Sequence, residues 1–574
     1  MELFLQTGSC VHPVIGFSDL DLGMILIRYG YVTRKSKHME NNGQNVKSND
    51  PNYPDLNSKT NSNYFKPNRD GANESIWQSF SSNLSGQTPE LSSFGKVYDV
   101  LIIGAGITGL TTALLLQKQG MNCIVADAHN VGFGTTGGTT AHINTFADTT
   151  YADTEKAFNE KSAKLFATAI SESVAIINEH VQVYNIDCDF EWKPGYVYAE
   201  DSKQAKELDS LYQSALKVGV KVNETQEVPT PLSFEKAVVF DNQAQFHPLK
   251  YITGLQKEFV ALGGTVLENT RVEDVETRDE IHYAITNVKD IAARNVVYAT
   301  HLPIGGINPL HFLCAPYRSY VIAVKLTDEK YPDALIYDMQ EPYHYFRTHV
   351  IDGQKYLIVG GNDHKSGHGE PEKSFEDLEN YVRQHYHVAS VDYKWSAQFY
   401  TSADGLPYIG ELPLAAKGIY AASGYNGNGM ILGTISAKVM SDLILGKENV
   451  FADLFDPARV KPLAGFNEIV KENADVAYHF IADRLSVDDI KSLSEIENGS
   501  GAVVEYKDKK VAIYKDEAGS VHALNPVCTH AKCIVDWNNS EKSWDCPCHG
   551  ARFDIDGNVL TGPARKNLEK IAID

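Results

Sequence analysis

Residues 97–128, VYDVLIIGAGITGLTTALLLQKQGMNCIVADA, constrain this chain more tightly than any other stretch. They read as a strand, a glycine turn, a helix and a second strand. Gly104, Gly106 and Gly109 form G-x-G-x-x-G in that setting. The first glycine allows the tight turn, the second lets backbone amides approach a pyrophosphate, and the third permits close packing of helix on strand. The helix N-terminus then offers its amides to the anion. Asp127 ends the second strand 23 positions after Gly104, where a carboxylate accepts hydrogen bonds from adenosine ribose hydroxyls. A glycine triplet alone is common; strand, helix and acid together predict a dinucleotide site.

A chain of 574 residues is too long for one core, so two or three domains are expected. Its 52 basic and 74 acidic residues leave a net charge of −22, which argues against nucleic acid or an anionic membrane as partner. The longest apolar run, VLIIGAGITGLTTALLL, is interrupted by glycine and threonine, so no membrane span is predicted. The opening MELFLQTGSC lacks the basic and apolar segments of a secretory signal, and the expected compartment is the cytoplasm. Residues 1–95 read as a poorly ordered N-terminal extension. Within it DLGMILIRYGYV resembles a strand without a partner, 40–95 are rich in Asn, Ser, Pro and Lys, and Met39 is an alternative start. Alternating strands and helices run over 96–450, a connector over 451–482, and a strand-rich segment with the hairpin cues KDEAGS and IDGN over 483–574.

Further along, GFGTTGGTTAH (132–142) follows the second strand with small residues, Thr136 among them, that can pass close to a cofactor. Late in the segment, DGLPYIGELPLAAKGIYAASGYNGNGMILGTISAKVMSDLIL runs a strand into a glycine turn and a long helix, whose N-terminus at Gly427, Gly429 and Met430 can face an electron-rich ring. These stretches, with FHPLKY at 246–251, TRV at 270–272 and VVYAT at 296–300, resemble the FAD-dependent D-amino-acid oxidase superfamily, which includes glycine oxidase and sarcosine dehydrogenase. The resemblance covers about 96–450. It implies an α/β Rossmann-type FAD-binding domain (about 96–190, 245–310 and 400–450) with an interleaved α+β substrate domain (about 190–245 and 311–400). It also implies FAD contacts from Val272 and from the Gly427–Met430 turn. No second strand, glycine turn and helix unit for NAD(P)H is read in the sequence. GTTAH at 138–142 resembles the stretch that carries covalent flavin in some members, with His142 in the corresponding place; a noncovalent His142 lining the pocket is equally open. Glycine oxidase-like members carry an arginine for the substrate carboxylate five residues before the aspartate of DGxPxIG, and this chain has Phe399 there. Arg347 and Arg318 are the alternative anchors, set against the commoner structural use of arginine.

Of the eight cysteines, Cys10, Cys123, Cys188 and Cys314 are scattered, whereas Cys528, Cys533, Cys546 and Cys548 cluster. Cys528-x-His530 and Cys546-x-x-His549, with fifteen residues between, present two thiolates and two imidazoles from two loops. Zinc accepts the same donor set. The pattern resembles the Rieske [2Fe–2S] signature, which implies cysteines on one iron and histidines on the other in a small all-β domain over 483–574. GPA at 562–564 then corresponds to the proline loop over the cluster. Cys533 and Cys548 stand where many Rieske domains carry a disulfide, although a reducing compartment favours free thiols. In CPCHGARF, Ala551 and Phe553 replace the serine and tyrosine that donate to cluster sulfurs in high-potential Rieske proteins.

Taken whole, the chain resembles FAD-dependent oxidoreductases of the D-amino-acid oxidase type with a C-terminal Rieske domain. The resemblance implies a dehydrogenase of a small amine or amino-acid-like substrate, with electrons passing from flavin through the cluster to an external acceptor protein or quinone. Two alternatives stay open: an electron-transfer module in which a pyridine nucleotide feeds a partner oxygenase, and a redox sensor.

Overall fold

The strand Val97–Ile103 lies at the centre of a parallel sheet, and its VLII run is buried because strands flank it on both sides, helix residues such as Leu110 and Leu114 pack on Val100 and Ile102, and Val272 and Ala284 join Leu101 and Ile103 on the other face. The computed structural model describes residues 69, 71–80, 94–459, 488–489 and 492–573, all within the unit 66–574. The sheet runs in the order Tyr408–Glu411, Ile419–Ser423, Ile291–Tyr298, Val97–Ile103, Cys123–Ala126, Thr265–Leu267. Its four innermost pairings are parallel, and Tyr408–Glu411 adds an antiparallel edge. A hairpin, Val272–Arg278 with Ile281–Thr286, branches from Ile291–Tyr298. Helix Ile107–Lys118 is buried nearly all round and packs against helices Gly429–Ile444 and Pro248–Ala261. Gly109 must be glycine: a Cβ there would stand 1.9 Å from the Gly104 carbonyl oxygen, so a side chain would drive the helix off the turn.

A second, nine-stranded sheet is built from the intervening stretches. Its order is Val388–Ser402, Cys314–Leu326, Gln354–Lys365, His344–Ile351, Leu335–Asp338, Glu191–Ala199, Lys236–Gln245, His142–Ile143, with Val222–Thr225 also on Lys236–Gln245. All its pairings are antiparallel except Leu335–Asp338 with Glu191–Ala199. The C-terminal part carries two four-stranded sheets, one including Ser500–Tyr506, Lys509–Lys515 and Val521–Leu524, the other Asp536–Asn538, Ser543–Asp545, Arg552–Phe553 and Val559–Thr561. The architecture is therefore the α/β FAD-domain fold with a β-sheet substrate domain and a small all-β C-terminal domain.

Two expectations about the connections are corrected. Residues 71–80, assigned to a loose N-terminal extension, are packed down: Ile76 and Trp77 are fully buried, and Trp77 Nε1 donates to the Thr139 carbonyl at 2.6 Å. Ala72 N–H donates to the Glu541 carbonyl at 2.8 Å, so this segment straps the C-terminal domain to the dinucleotide domain. A polar composition hid one tryptophan with a deep socket. Likewise 451–459, assigned to the connector, belong to the folded body: Phe455 is buried and Arg459 forks onto Asp404 at 2.8 Å through both Nε and Nη2. Residues 1–68, 70 and 81–93 of the extension, including DLGMILIRYGYV, and 460–487 lie outside the described residues. No helix among the described residues is long and apolar enough to cross a membrane.

Candidate functional site

One cavity of about 310 Å³ runs from the glycine turn to the nine-stranded sheet. At its dinucleotide end, Gly104 (φ +107°) lets the chain turn directly beneath Ala299, where a Cβ would meet the Ala299 carbonyl oxygen at 2.6 Å. Gly106 sits against Thr136, whose hydroxyl accepts the Ile107 N–H at 3.1 Å and so caps the first turn of the helix. Asp127 is held by two backbone donors, Ala105 N–H at 2.7 Å and His129 N–H at 2.8 Å. Burial raises its pKa and these two bonds oppose the rise. The strands supply a narrow backbone cradle and an oriented carboxylate, the features a ribose and pyrophosphate require. Val272, Gly427, Gly429 and Met430 line the same cavity. Gly109 does not; its contribution is the packing described above.

At the other end the lining comes from the nine-stranded sheet: Tyr337, Tyr343, Tyr345, Ser319, Asp363 and Phe399, with His142, Asn144 and Asp148. Tyr337 donates to Asn144 Oδ1 at 2.7 Å, so its oxygen accepts from His142 Nδ1 at 2.6 Å. The proton of His142 therefore sits on Nδ1, and Nε2 is a bare, buried acceptor without a partner. Burial and then Arg347 hold the His142 pKa well below its ordinary value, so the ring is neutral. Burial pushes Asp363 up to about 7, against the opposing hydroxyls of Ser319 and Tyr343. Asp148 is reached by water yet surrounded by protein atoms, and burial followed by the charge of Asp363 lifts it to about 7.

The substrate anchors expected from sequence fare differently. Phe399 does line the cavity, so a phenyl ring stands where the resemblance implied an arginine. Arg347 does not line it: its Nη1 donates to the carbonyls of Thr140, Ala141 and Phe246 at 2.6–3.2 Å and its Nη2 meets His349 Nδ1 at 2.8 Å. That is a corrected expectation, because a guanidinium committed to four protein groups has little left for a ligand. Arg318 lines the cavity but pairs with Glu541 and, at 3.5 Å, with Asp545. Sequence reasoning missed Asp148, Asp363 and the tyrosines; the only trace was the alternation in HYFRTH, which puts Tyr345 and Arg347 on one face.

The C-terminal loops gather the four expected metal ligands. Cys528 and Cys546 are buried free thiols, and the His530 and His549 rings stand 5.0 Å apart between centroids. No ring nitrogen of either histidine has a hydrogen-bond partner in the described structure. Buried, unpartnered imidazoles beside two thiols fit a metal group and have no other evident use. Burial lowers His530 to about 4, and burial with His530 lowers His549 to about 3, which keeps both neutral and competent as ligands. Cys546 beside Cys528 favours ionisation of Cys528 while its own pKa is held up by the same contact. Cys533 and Cys548 have their sulfurs at bonding distance, 1.99 Å, joining the two loops and leaving neither as a thiolate. Cys546 lies within 4.8 Å of that pair, a neighbour and not a third member of a ligand set.

A further stretch of the C-terminal domain abuts the cavity. Val559, Leu560, Thr561, Gly562, Ala564 and Arg565 form part of its wall. His311 of the larger domain packs on His530 and His549, at 4.6 and 5.5 Å between centroids. Tyr400 donates to the His549 carbonyl at 2.8 Å and Gln398 to the Gly550 carbonyl at 2.9 Å, bolting the second loop to the substrate sheet.

Comparison with known proteins agrees with this geometry. The family model for FAD dependent oxidoreductases (DAO) matches residues 99–443, and that for the Rieske [2Fe-2S] domain matches 487–572. The Rieske 2Fe-2S iron-sulfur protein YhfW of Bacillus subtilis is 32% identical over 480 residues, covering 83% of this chain and 94% of that protein. Gamma-glutamylputrescine oxidoreductase of Escherichia coli is 24% identical over 414 residues, 68% of this chain and 93% of its own. Among solved structures, glycine oxidase from Geobacillus kaustophilus superposes with a TM-score of 0.54 at 18% identity, covering 64% of this chain and 100% of that one. With its glycine cradle, its buried Cys₂His₂ loops and matches along both parts, the chain belongs to the DAO family of FAD-dependent oxidoreductases and carries a C-terminal Rieske [2Fe–2S] domain.

Proposed function

We propose that this protein is a dehydrogenase of a small amine or amino-acid-like molecule and that the electrons leave through its Rieske domain to an external acceptor, a protein or a quinone. The observation that carries the reading is the shared wall: residues 559–565 of the Rieske domain line the cavity that also holds the dinucleotide motif. When bound, FAD supplies a two-electron acceptor and the cluster a one-electron carrier, so a closely packed pair suits a dehydrogenase. Gly104, Gly106, Thr136 and Asp127 would hold the nucleotide, and Cys528, His530, Cys546 and His549 the cluster. Tyr337 fixes the His142 tautomer and leaves Nε2 as a proton acceptor at the substrate end. Phe399 and the tyrosines give that end an aromatic wall against which an apolar carbon chain can rest. A solved relative named glycine oxidase and a relative named gamma-glutamylputrescine oxidoreductase support amine or amino-acid chemistry as the class.

The test is anaerobic mixing of the protein with a panel of amines and amino acids, following flavin absorbance and the electron paramagnetic resonance of the cluster together. Bleaching of the flavin followed by appearance of the reduced-cluster signal is the expected result. Rapid bleaching by NADH or NADPH, with no response to any amine or amino acid, would replace this reading with that of an electron-transfer module.

A further inference from the structure

The charges around the cavity are unevenly distributed. Its arginines are occupied: Arg271 donates to Asn567 Oδ1 at 3.1 Å and to the Val559 carbonyl at 3.3 Å, and Arg565 pairs with Asp274 at 2.6 Å, both beside residues 559–567. Arg318 and Arg552 are paired with Glu541 and Asp545, and Arg69 donates to the Ser396 carbonyl. Its carboxylates are of two kinds. Asp127 is spent on the glycine turn, whereas Asp148 and Asp363 both line the substrate end, where the charge of Asp363 raises the pKa of Asp148.

Among the described residues no lysine or arginine pairs with either aspartate, and the positive neighbour felt by Asp363 is His344, itself bonded to Asp338. Asp363 accepts from Tyr343 at 3.2 Å through Oδ2 and has the Ser319 hydroxyl beside it, while its buried Oδ1 makes no hydrogen bond within the described structure. Asp148 has Asn428 as its side-chain partner, at 3.4 Å. Around them stand the rings of Tyr337, Tyr343 and Tyr345, the last two with centroids 5.8 Å apart. Two carboxylates and several phenol faces form an environment that repels a substrate carboxylate and attracts an ammonium. Phe399 adds a neutral ring to the wall, so this position supplies no cation to tip the balance toward an anion.

The seated ammonium is not the reacting one. Hydride leaves the carbon next to a neutral amine, whose lone pair stabilises the developing cation, and an amine held by two carboxylates keeps its proton. Resting on the amine-oxidation reading above, we propose that Asp148 and Asp363, with Tyr343 and Tyr345, form a subsite for a second, protonated amino group, so that the substrate is a diamine-type cation without an α-carboxylate.

The experiment titrates the protein loaded with both cofactors, anaerobically, with the α,ω-diamines from 1,3-diaminopropane to 1,6-diaminohexane, with 1-aminobutane, and with glycine and D-alanine. Perturbation of the flavin spectrum and the melting temperature report binding apart from turnover. At least one diamine should bind tenfold or more tightly than 1-aminobutane. Asp363→Asn should abolish that preference, and Asp363→Glu should restore part of it, with FAD content and dithionite-reducible absorbance retained as the check on folding. An amino acid binding more tightly than every diamine would overturn the subsite while leaving the amine-oxidation reading in place. A preference untouched by Asp363→Asn, or no diamine binding at all, would also overturn it. Failure of the broader reading has its own signature, reduction by a pyridine nucleotide alone.

Discussion

Replacing Glu541 by glutamine should loosen the Rieske domain from the body of the protein. Glu541 is fully buried between two arginines, Arg318 from the substrate sheet and Arg552 from its own domain, whose side chains are 3% and 2% exposed. Asp545 completes the group, 3.1 Å from Arg552 and 3.5 Å from Arg318. Two cations and two anions balance, and the balance is visible in Asp545: burial would raise its pKa, but Arg552 and Arg318 bring it down to about 2. Glutamine keeps the shape and the bond from Asn538 but leaves one net positive charge in a dry interface. Breaking a buried pair from one side costs about 3–5 kcal/mol. Because the interface also closes the cofactor cavity, the loss should appear as separation of two unfolding events. In urea, wild type should lose FAD fluorescence quenching and cluster absorbance together, and Glu541→Gln should lose them in two steps. The double variant Arg318→Met with Glu541→Gln restores neutrality, leaving Arg552 opposite Asp545, and should recover about 1–3 kcal/mol of the loss. A single variant within about 1 kcal/mol of wild type, or strictly additive effects in the double variant, would refute the reasoning.

Asp127→Ala should weaken FAD binding by about 1.5–3 kcal/mol, the worth of a charge-assisted bond, as measured by fluorescence titration of the apoprotein. Introducing Ser at position 551 and Tyr at 553 by Ala551→Ser and Phe553→Tyr should raise the cluster's potential by about 40–90 mV for each new sulfur hydrogen bond, read by potentiometric titration with electron paramagnetic resonance; a wild-type value already near +300 mV would contradict it. The pH dependence follows from Asp148 and Asp363, both raised from 3.8 to about 7. Between those values the folded state holds protons that the unfolded chain has released, so their contribution to stability is full below pH about 4 and is lost as pH rises toward 7. Melting temperatures should show that decline, and Asp148→Asn combined with Asp363→Asn should flatten it.

What the amino-acid sequence determined by itself is local in character. The glycine cradle is set by a strand, a turn and a helix in succession, and Gly109 acts on the Gly104 carbonyl five residues back, so the spacing states the turn; that Ala299 and Thr136 close over Gly104 and Gly106 is added by the fold. The cysteines and histidines at 528–549 are similar: two short loops bring them together, and their residue types state the chemistry. Arginine is the opposite case. Arg347 and Arg318 looked alike as candidates, and only tertiary contacts separated them, one gripping carbonyls that include that of Phe246, the other pairing with Glu541 from a different domain. Asp148, Asp363 and the tyrosines gave no pattern to read, because their strands and loops meet only when the nine-stranded sheet closes over the cavity. The packing of His311 on His530 joins residues more than two hundred positions apart, and the buried charges at Glu541 hold that contact in place. Chemistry carried by backbone turns and ligand spacing is written in short stretches of chain; chemistry that depends on which charge is left without a partner is decided only after every other group has found one.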